Sequence, residues 1–182
     1  MTPSWPTEGA CRGNADGRRH EAGNRRRTDP ERQAQLLKVS ELVEQARKGG
    51  TNVVCGGQAP AGSGYIYPLT LVTDIADGAT LVDEEQFGPV LPIIKYRDID
   101  EAVGRANRLN VGLGAPVWSQ NIQKARDAAM RLQARTVWIN QHGTIHPMVP
   151  FDSIKGSGWG AEFGSEGLKA VSQPKVISLR KM

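Results

Sequence analysis

A chain of 182 residues with 38% hydrophobic and 23% charged residues has room for one domain with a real core. No apolar run approaches the ~20 residues that span a bilayer, so we predict no membrane segment. The formal net charge is +4, and +3 of it lies in residues 1–27, where six arginines outnumber three acidic residues. The remainder is close to neutral, which argues against a nucleic-acid-binding surface on the folded part.

Residues 1–27 are rich in Gly, Arg, Asn and Pro and show no apolar period. We expect this tail to be disordered, because it cannot bury enough apolar surface to offset the entropy of ordering it. Its arginines could attract a nucleic acid, but no aromatic residues alternate with them, so a solvated tail is the preferred interpretation. A replaced or out-of-frame start is a further hypothesis for this segment.

The two cysteines, Cys11 and Cys55, have neither the density of a disulfide scaffold nor the spacing of metal ligands. We therefore expect a reducing cytoplasmic location, and the N-terminus lacks the apolar stretch of a secretory signal. Cys55 lies between Val54 and Gly56 without a basic neighbour, which indicates a small buried hydrophobe rather than a nucleophile.

The first predicted helix begins at Thr28 or Asp29, has Pro30 at its first helical position, and ends at Gly49-Gly50. Extended segments are predicted at 51–55, 65–72 and 90–96, with a polar connection between the last two. The predicted core-facing stripe of the helix consists of Leu36, Leu37, Val39, Leu42, Val43 and Ala46.

Helices and strands alternate in the second half. Asp98 and Glu101 form a capping box for a helix to about Leu109, and a strand at 117–118 follows. A helix capped by Ser119 or Asn121 and a strand over 136–140 come next. This alternation favours crossover connections, so the predicted fold class is α/β, with three layers and a largely parallel, doubly wound sheet. A last predicted strand over 175–180 has nothing after it and would pair outside the domain.

Residues 84–90, Glu-Glu-Gln-Phe-Gly-Pro-Val, place two carboxylates and an aromatic residue at the entrance of the predicted strand 90–96. Gly88-Pro89 breaks any helix there. Charges at the mouth of a buried strand commonly hold a polar ligand, because the strand fixes the backbone that aims them. A solvated acidic turn is the alternative interpretation.

This segment resembles the E-E-x-F-G-P-V motif of the NAD(P)-dependent aldehyde dehydrogenase superfamily. The resemblance covers residues 28–182, which look like the C-terminal third or so of a family member, and we predict that they form one partial catalytic domain. Further parts of the family pattern follow in the expected order at 98–102, Ala106-Asn107, 112–115, 137–140, Pro150-Phe151, Lys155, Ser157-Gly158, Gly164 and 166–168.

The resemblance implies a parent reaction and several site residues. Family members oxidise an aldehyde to a carboxylic acid through a cysteine thiolate, with hydride transfer to a nicotinamide and a glutamate as base. Glu85 matches the carboxylate that bonds the nicotinamide ribose hydroxyls, and Phe87 matches the aromatic residue beside that ring. Phe151 matches a substrate-tunnel aromatic, with core packing as the equal alternative. Glu162 matches an acid that relays protons to the base, with an exposed helix-start carboxylate as its alternative.

Nothing in these 182 residues resembles the family's G-Q-x-C nucleophile segment, its general-base glutamate or its glycine-rich pyrophosphate turn. We therefore assign no catalytic residue and predict that the chain is inactive alone, binding NAD or NADP and an aldehyde only when complemented. Two alternatives remain: an interaction module that pairs with full-length subunits, and a half-enzyme whose N-terminal half is encoded separately. In the family the terminal strand docks on a neighbouring subunit, so we expect this chain to form a homo- or hetero-oligomer through its C-terminal strand.

Several positions depart from the family pattern. Asp152-Ser153 and Arg135 stand where the pattern has glycines, and Pro116 deletes a ladder donor in what should be an interior strand. Together these changes would fit relaxed constraint. His142 and His146 have i, i+4 spacing but lie in a predicted loop without a third ligand, so we predict no metal site.

Overall fold

The computed structural model describes residues 30–61 and 64–181. These residues fall into two compact units, one ending at Lys95 and the other beginning at Tyr96. The predicted disordered tail 1–27 and the candidate helix caps Thr28 and Asp29 lie outside the described residues, as does Cys11.

Unit 1 contains a mixed three-stranded sheet in the order β1-β2-β3. Strand β1 is antiparallel to β2, and β3 is parallel to β2. The connection between β1 and β2 has no helix among its described residues, so no crossover forces these strands to be parallel. The elements of the unit are α1 (Pro30–Lys48), β1 (Asn52–Cys55), β2 (Thr70–Thr73), α2 (Thr80–Asp83) and β3 (Val90–Pro92).

The core of unit 1 is built on one face of α1. The predicted stripe is buried at four of its six positions, whereas Leu37 is 60% exposed. At about 100° of rotation per residue, Leu37 falls on the side of the helix opposite Val39 and Leu42. The buried residues of this core are Val39, Leu42, Val43, Ala46, Val72, Ile75, Leu81 and Val90.

Two predicted strands of unit 1 are shorter than expected. Of the predicted strands 65–72 and 90–96, only the parts that form β2 and β3 are paired, and residues 65–69 and 93–96 are irregular. The ladder closes with the Thr70 amide donating to the Pro89 carbonyl (2.8 Å) and the Ile93 amide donating to the Val72 carbonyl (2.8 Å). The predicted strand 51–55 is confirmed in position, and Cys55, at its end, is half-buried and not a free thiol.

Unit 2 contains a parallel strand pair and a small hairpin. Strand β4 lies parallel to β5, and β6 lies antiparallel to β7. The predicted strand 136–140 corresponds to β5, whereas the predicted strand 117–118 overlaps β4 only at Val117. The hairpin, whose strands have two residues each, was not predicted. The elements are α3 (Ile99–Arg108), β4 (Gly114–Val117), α4 (Ile122–Arg131), β5 (Thr136–Ile139), β6 (Phe151–Asp152), β7 (Ala161–Glu162) and α5 (Gly164–Ala170).

Both predicted N-caps of unit 2 are present. Asp98 Oδ1 accepts from the Glu101 amide (2.9 Å), and Asn121 Oδ1 accepts from the Lys124 amide (3.0 Å). The capping box of α3 is altered, because the Glu101 carboxylate accepts from the amide of Arg97 (2.9 Å), one residue before the cap. That backbone hydrogen bond, with the Arg97 side chain, holds the pKa of Glu101 below its ordinary value of 4.5.

Pro116 lies on the outer edge of β4. The carbonyls of Leu113 and Val117 accept from the amides of Thr136 (3.2 Å) and Asn140 (2.9 Å), so odd-numbered residues of β4 face β5. The missing donor of Pro116 therefore points away from β5, toward an edge that no described strand covers. Proline at position 116 therefore removes no hydrogen bond from the β4–β5 ladder.

Helices and strands combine in both units, as the predicted α/β class requires. The described residues do not form the predicted single, largely parallel sheet, because antiparallel pairs join β1 to β2 and β6 to β7. Residues 175–180 form no strand in this single chain. Among the described helices, none has both the length and the apolar character needed to cross a bilayer.

Candidate functional site

The acidic-aromatic motif forms a loop between α2 and β3 that α1 holds from one side. Gln35 Nε2 donates to the carbonyls of Gln86 (2.6 Å) and Phe87 (3.1 Å). One turn further along α1, Lys38 Nζ pairs with Glu84 Oε2 at 3.0 Å. The two Gln35 hydrogen bonds tie the backbone of the loop to α1. The Lys38–Glu84 pair joins two side chains that are about half exposed, so it contributes little to the position of the loop.

Two residues of the loop have conformations that explain their identity. A Cβ at Gly88 would lie 2.6 Å from Val39 Cγ2, so only glycine allows the loop to approach α1 this closely. Phe87 has φ +41°, which is uncommon for a bulky residue and is strained. Such strain persists where the surrounding contacts over-determine the backbone, as the Gln35 hydrogen bonds do here.

The two predicted cofactor residues both face solvent. The side chain of Phe87 is 77% exposed. Glu85 is also exposed, and among the described residues it makes no hydrogen bond or ion pair. A carboxylate without a protein partner can accept from two adjacent hydroxyls of a sugar, and an exposed ring can support a planar group. These side chains fit the ribose end of a dinucleotide.

A groove of about 530 Å³ lies beside Phe87. It is bordered by the first turns of α1, the segment around Tyr67 and the end of the motif loop. The Tyr67 hydroxyl is buried without a partner among the described residues, and burial, followed by the charge of Glu44, raises the pKa of Tyr67. The lining residues are Arg32, Gln35, Leu36, Val39, Tyr65, Ile66, Tyr67, Phe87, Gly88 and Pro89.

The hairpin of unit 2 brings together the other two predicted site residues. Phe151 and Glu162 are direct antiparallel partners, so their side chains lie on the same face. Phe151 is half-buried, and its ring centroid lies 6.4 Å from that of Trp138, which fits the packing alternative as well as a lining role. Glu162 is exposed at the end of β7, one residue before the N-cap of α5, and its role stays a prediction.

The two histidines belong to the loop after β5. His142 meets Trp138 edge-on at 5.3 Å, and Trp138 Nε1 donates to the Thr144 carbonyl (2.8 Å). His146 Nδ1 accepts from the Met148 amide (3.2 Å). Within the described ranges, no group of three or more His, Cys, Asp or Glu side chains could hold a metal ion.

A turn that the sequence analysis noted only as part of a family pattern organises unit 2. Lys155 Nζ donates to the carbonyls of Asn107 (2.8 Å) and Leu109 (3.0 Å), where it satisfies the C-terminal end of α3. Ser157 Oγ accepts from the amides of Gly112 (2.9 Å) and Leu113 (3.1 Å). Spacing alone could not have found these contacts, since they join segments far apart in sequence.

A larger groove, of about 740 Å³, lies between α3, β4 and α4 and contains none of the predicted site residues. The candidate positions thus form two groups, one in each unit: Glu85 with Phe87, and Phe151 with Glu162. Glu85 and Phe87 together suit a sugar with adjacent hydroxyls beside a planar group.

Comparisons with a family pattern and with curated proteins indicate the same family. The pattern of the Aldehyde dehydrogenase family matches residues 31–177. The mitochondrial aldehyde dehydrogenase of Equus caballus is 38% identical over 148 residues, which are 81% of this chain and 30% of that protein. The chain thus spans about a third or less of the length of the curated relatives it matches.

Two solved structures that are similar to this chain were determined as complexes with a dinucleotide. An NAD⁺ complex of aldehyde dehydrogenase from Bacillus cereus is 38% identical with a TM-score of 0.68, covering 77% of this chain and 28% of that one. Succinic semialdehyde dehydrogenase from Streptococcus pyogenes, in complex with NADP⁺ as the cofactor, is 28% identical with a TM-score of 0.74. That match covers 81% of this chain and 32% of the other.

Proposed function

Since this chain belongs to the aldehyde dehydrogenase family, we propose that it forms the C-terminal part of a catalytic domain that oxidises an aldehyde to a carboxylic acid with NAD or NADP. The observation that carries this proposal is the motif loop, in which Glu85 and Phe87 are exposed on a backbone that α1 holds in place. The nucleophile-bearing portion has to come from another segment or chain.

In this proposal each side chain has a limited task. Glu85 accepts from the ribose hydroxyls and so orients the nicotinamide, and the ring of Phe87 supports its face. Phe151 forms an apolar wall beside the aldehyde and excludes water there. Glu162 relays protons toward a base that this chain does not contain. A bound dinucleotide would supply the hydride acceptor.

The first test is aldehyde-dependent NAD(P)H formation by the purified, folded chain with short, long and aromatic aldehydes. We expect no turnover, because nothing in the sequence resembles the family's nucleophile segment. Turnover that disappears in a Cys11→Ala, Cys55→Ala double variant would overturn the proposal that the chain is inactive alone.

The second test complements the chain with the N-terminal two thirds of a relative and measures cofactor affinity. We expect Glu85→Gln to weaken NAD(P) binding about tenfold to a hundredfold, since a hydrogen bond to a charged group is worth ~1.5–3 kcal/mol. Glu84→Gln is the matched control, because that carboxylate pairs with Lys38 instead. Equal losses in both variants would contradict the assigned role of Glu85.

A second candidate function is interaction with full-length subunits through the C-terminal segment. It is favoured by the exposure of Val176, Ile177 and Leu179, which are 83–92% accessible. Such a row of apolar residues needs a partner surface. Co-purification with a full-length subunit, abolished by deletion of 175–182, would support this function, and a stable monomer would count against it.

A cytoplasmic location stays a prediction.

A further inference from the structure

Arg135 and Asp152, two residues that replace expected glycines, contact each other. Arg135 Nε and Nη2 lie 2.7 and 2.5 Å from Asp152 Oδ2. The other carboxylate oxygen, Oδ1, accepts from the Ser153 amide at 2.6 Å. Both oxygens of this carboxylate, whose side chain is only 20% exposed, are therefore satisfied. Departures that look independent in sequence are a pair in space.

The backbone at these positions does not require glycine. Arg135, Asp152 and Ser153 all lack the positive φ that other non-glycine residues of unit 2, such as Asn140 and Lys155, adopt. Side chains can therefore stand here without strain. The interpretation of these substitutions as relaxed constraint loses its physical basis, because one charge introduced without the other would leave a half-buried carboxylate unpaired.

The pair connects two elements that share an aromatic contact. Arg135 directly precedes β5, where its amide donates to the Gly112 carbonyl (2.9 Å). Asp152 follows Phe151 on β6, and Phe151 lies against Trp138 of β5. A hairpin with two residues in each strand is marginal by itself, so it depends on such outside anchors for its position.

We propose that Arg135 and Asp152 are a matched pair of positioning residues that hold Phe151 against Trp138. The pair fixes where the Phe151 ring lies relative to β5. Its consequence for the aldehyde rests on the proposed function, in which Phe151 lines the substrate tunnel. The positioning itself depends on no ligand and can be measured in the chain as it is.

The test uses Arg135→Gly, Asp152→Gly, the double-glycine variant and the charge-swapped variant Arg135→Asp, Asp152→Arg. Nuclear Overhauser effects between the rings of Phe151 and Trp138, and hydrogen exchange of the Trp138 indole N–H, report the contact well below the unfolding temperature. We expect each single variant to lose at least half of the cross-peak intensity. The double-glycine variant should lose no more, and the charge swap should restore most of it.

Matched controls separate positioning from general destabilisation. Arg131→Ala removes an ion pair of similar length, to Asp100 (2.6 Å), and should leave the Phe151–Trp138 cross-peaks unchanged. Salt provides a readout that needs no variant: ~1 M NaCl should speed indole exchange in the natural chain and not in the double-glycine variant. Additive losses in the singles, unchanged cross-peaks or equal salt responses would each overturn the proposal.

A kinetic readout distinguishes failure of the pair from failure of the proposed function. In the complemented enzyme, Arg135→Gly should raise the KM for bulky aldehydes several-fold while kcat changes little. Loss of the cross-peaks with an unchanged KM would support the positioning pair and remove Phe151 from the substrate tunnel. A changed KM with intact cross-peaks would show that the pair acts in some other way and would overturn the positioning proposal.

Discussion

At the scale of single residues, Thr70 is a buried polar residue of unit 1 whose hydroxyl has two backbone partners. It is fully buried, its hydroxyl donates to the Pro68 carbonyl (2.9 Å) and accepts from the Gly57 amide (2.8 Å). One side chain thus satisfies two backbone groups in the long connection between β1 and β2. A buried hydroxyl with both partners in place is stabilising mainly because removing it leaves them unsatisfied.

We expect Thr70→Val, which keeps the shape and removes the hydroxyl, to lower the free energy of unfolding by about 1–3 kcal/mol. Urea unfolding at neutral pH measures this. Thr73→Val is the control, because the hydroxyl of Thr73 lies at a longer 3.5 Å from its partners near solvent. Equal losses in the two variants would contradict the role given to the Thr70 hydroxyl.

At the scale of elements, the start of α3 depends on an ionised carboxylate. The pKa of Glu101 is lowered by the Arg97 amide first, then by the side chains of Arg97 and Arg105. A lowered pKa in the folded state means that its stabilisation is present above the ordinary value of 4.5 and is lost as the pH falls through the folded value.

We therefore expect Glu101→Gln to destabilise unit 2 near neutral pH, with the difference from the natural chain shrinking as the pH falls below 4.5. Unfolding temperatures measured from pH 7 to pH 3 test this. Glu85→Gln provides the comparison, since Glu85 has no partner among the described residues and its loss should leave the profile unchanged. A pH-independent difference for Glu101→Gln would contradict the linkage.

Strand β4 shows how the direction of one donor decides the effect of proline. We expect Pro116→Ala to change the free energy of unfolding by less than about 1 kcal/mol, chiefly through the unfolded state. Ala115→Pro removes a donor that faces β5 and should cost about 1–3 kcal/mol more, in the same urea measurement. Similar losses for the two variants would contradict the donor directions assigned to β4.

At the scale of the whole molecule, local patterns predicted most elements but not their pairing. Caps at Asp98 and Asn121 and the turn at Gly49-Gly50 were readable from sequence because each depends on residues within a few positions. The hairpin β6–β7 escaped prediction because strands of two residues show no periodicity. In unit 1 the β2–β3 pair is parallel as predicted, whereas β1–β2 is antiparallel, because the connection between them has no helix among its described residues and left the direction open.

For the candidate site, too, the sequence indicated individual residues but not the long-range contacts that support them. Sequence resemblance singled out Glu85, Phe87, Phe151 and Glu162, and their roles stay predictions. The contacts that support them, from Gln35 to the motif loop and from Arg135 to Asp152, join residues distant in sequence. A single sequence contains no signal for such partners, because long-range contacts depend on the assembled fold rather than on local preference.

The turn at Lys155 and Ser157 has a consequence for how the protein is made. Synthesis proceeds from the N-terminus, so the amides of Gly112 and Leu113 leave the ribosome 45 and 44 residues ahead of the hydroxyl that satisfies them. At ~5–20 residues per second this leaves them unpaired for several seconds. During that interval β4 and β5 can form, but the segment between α3 and β4 lacks its hydrogen bonds to Ser157. Unit 2 should therefore complete its folding late, and the nascent chain should be open to chaperones and proteases until the turn arrives.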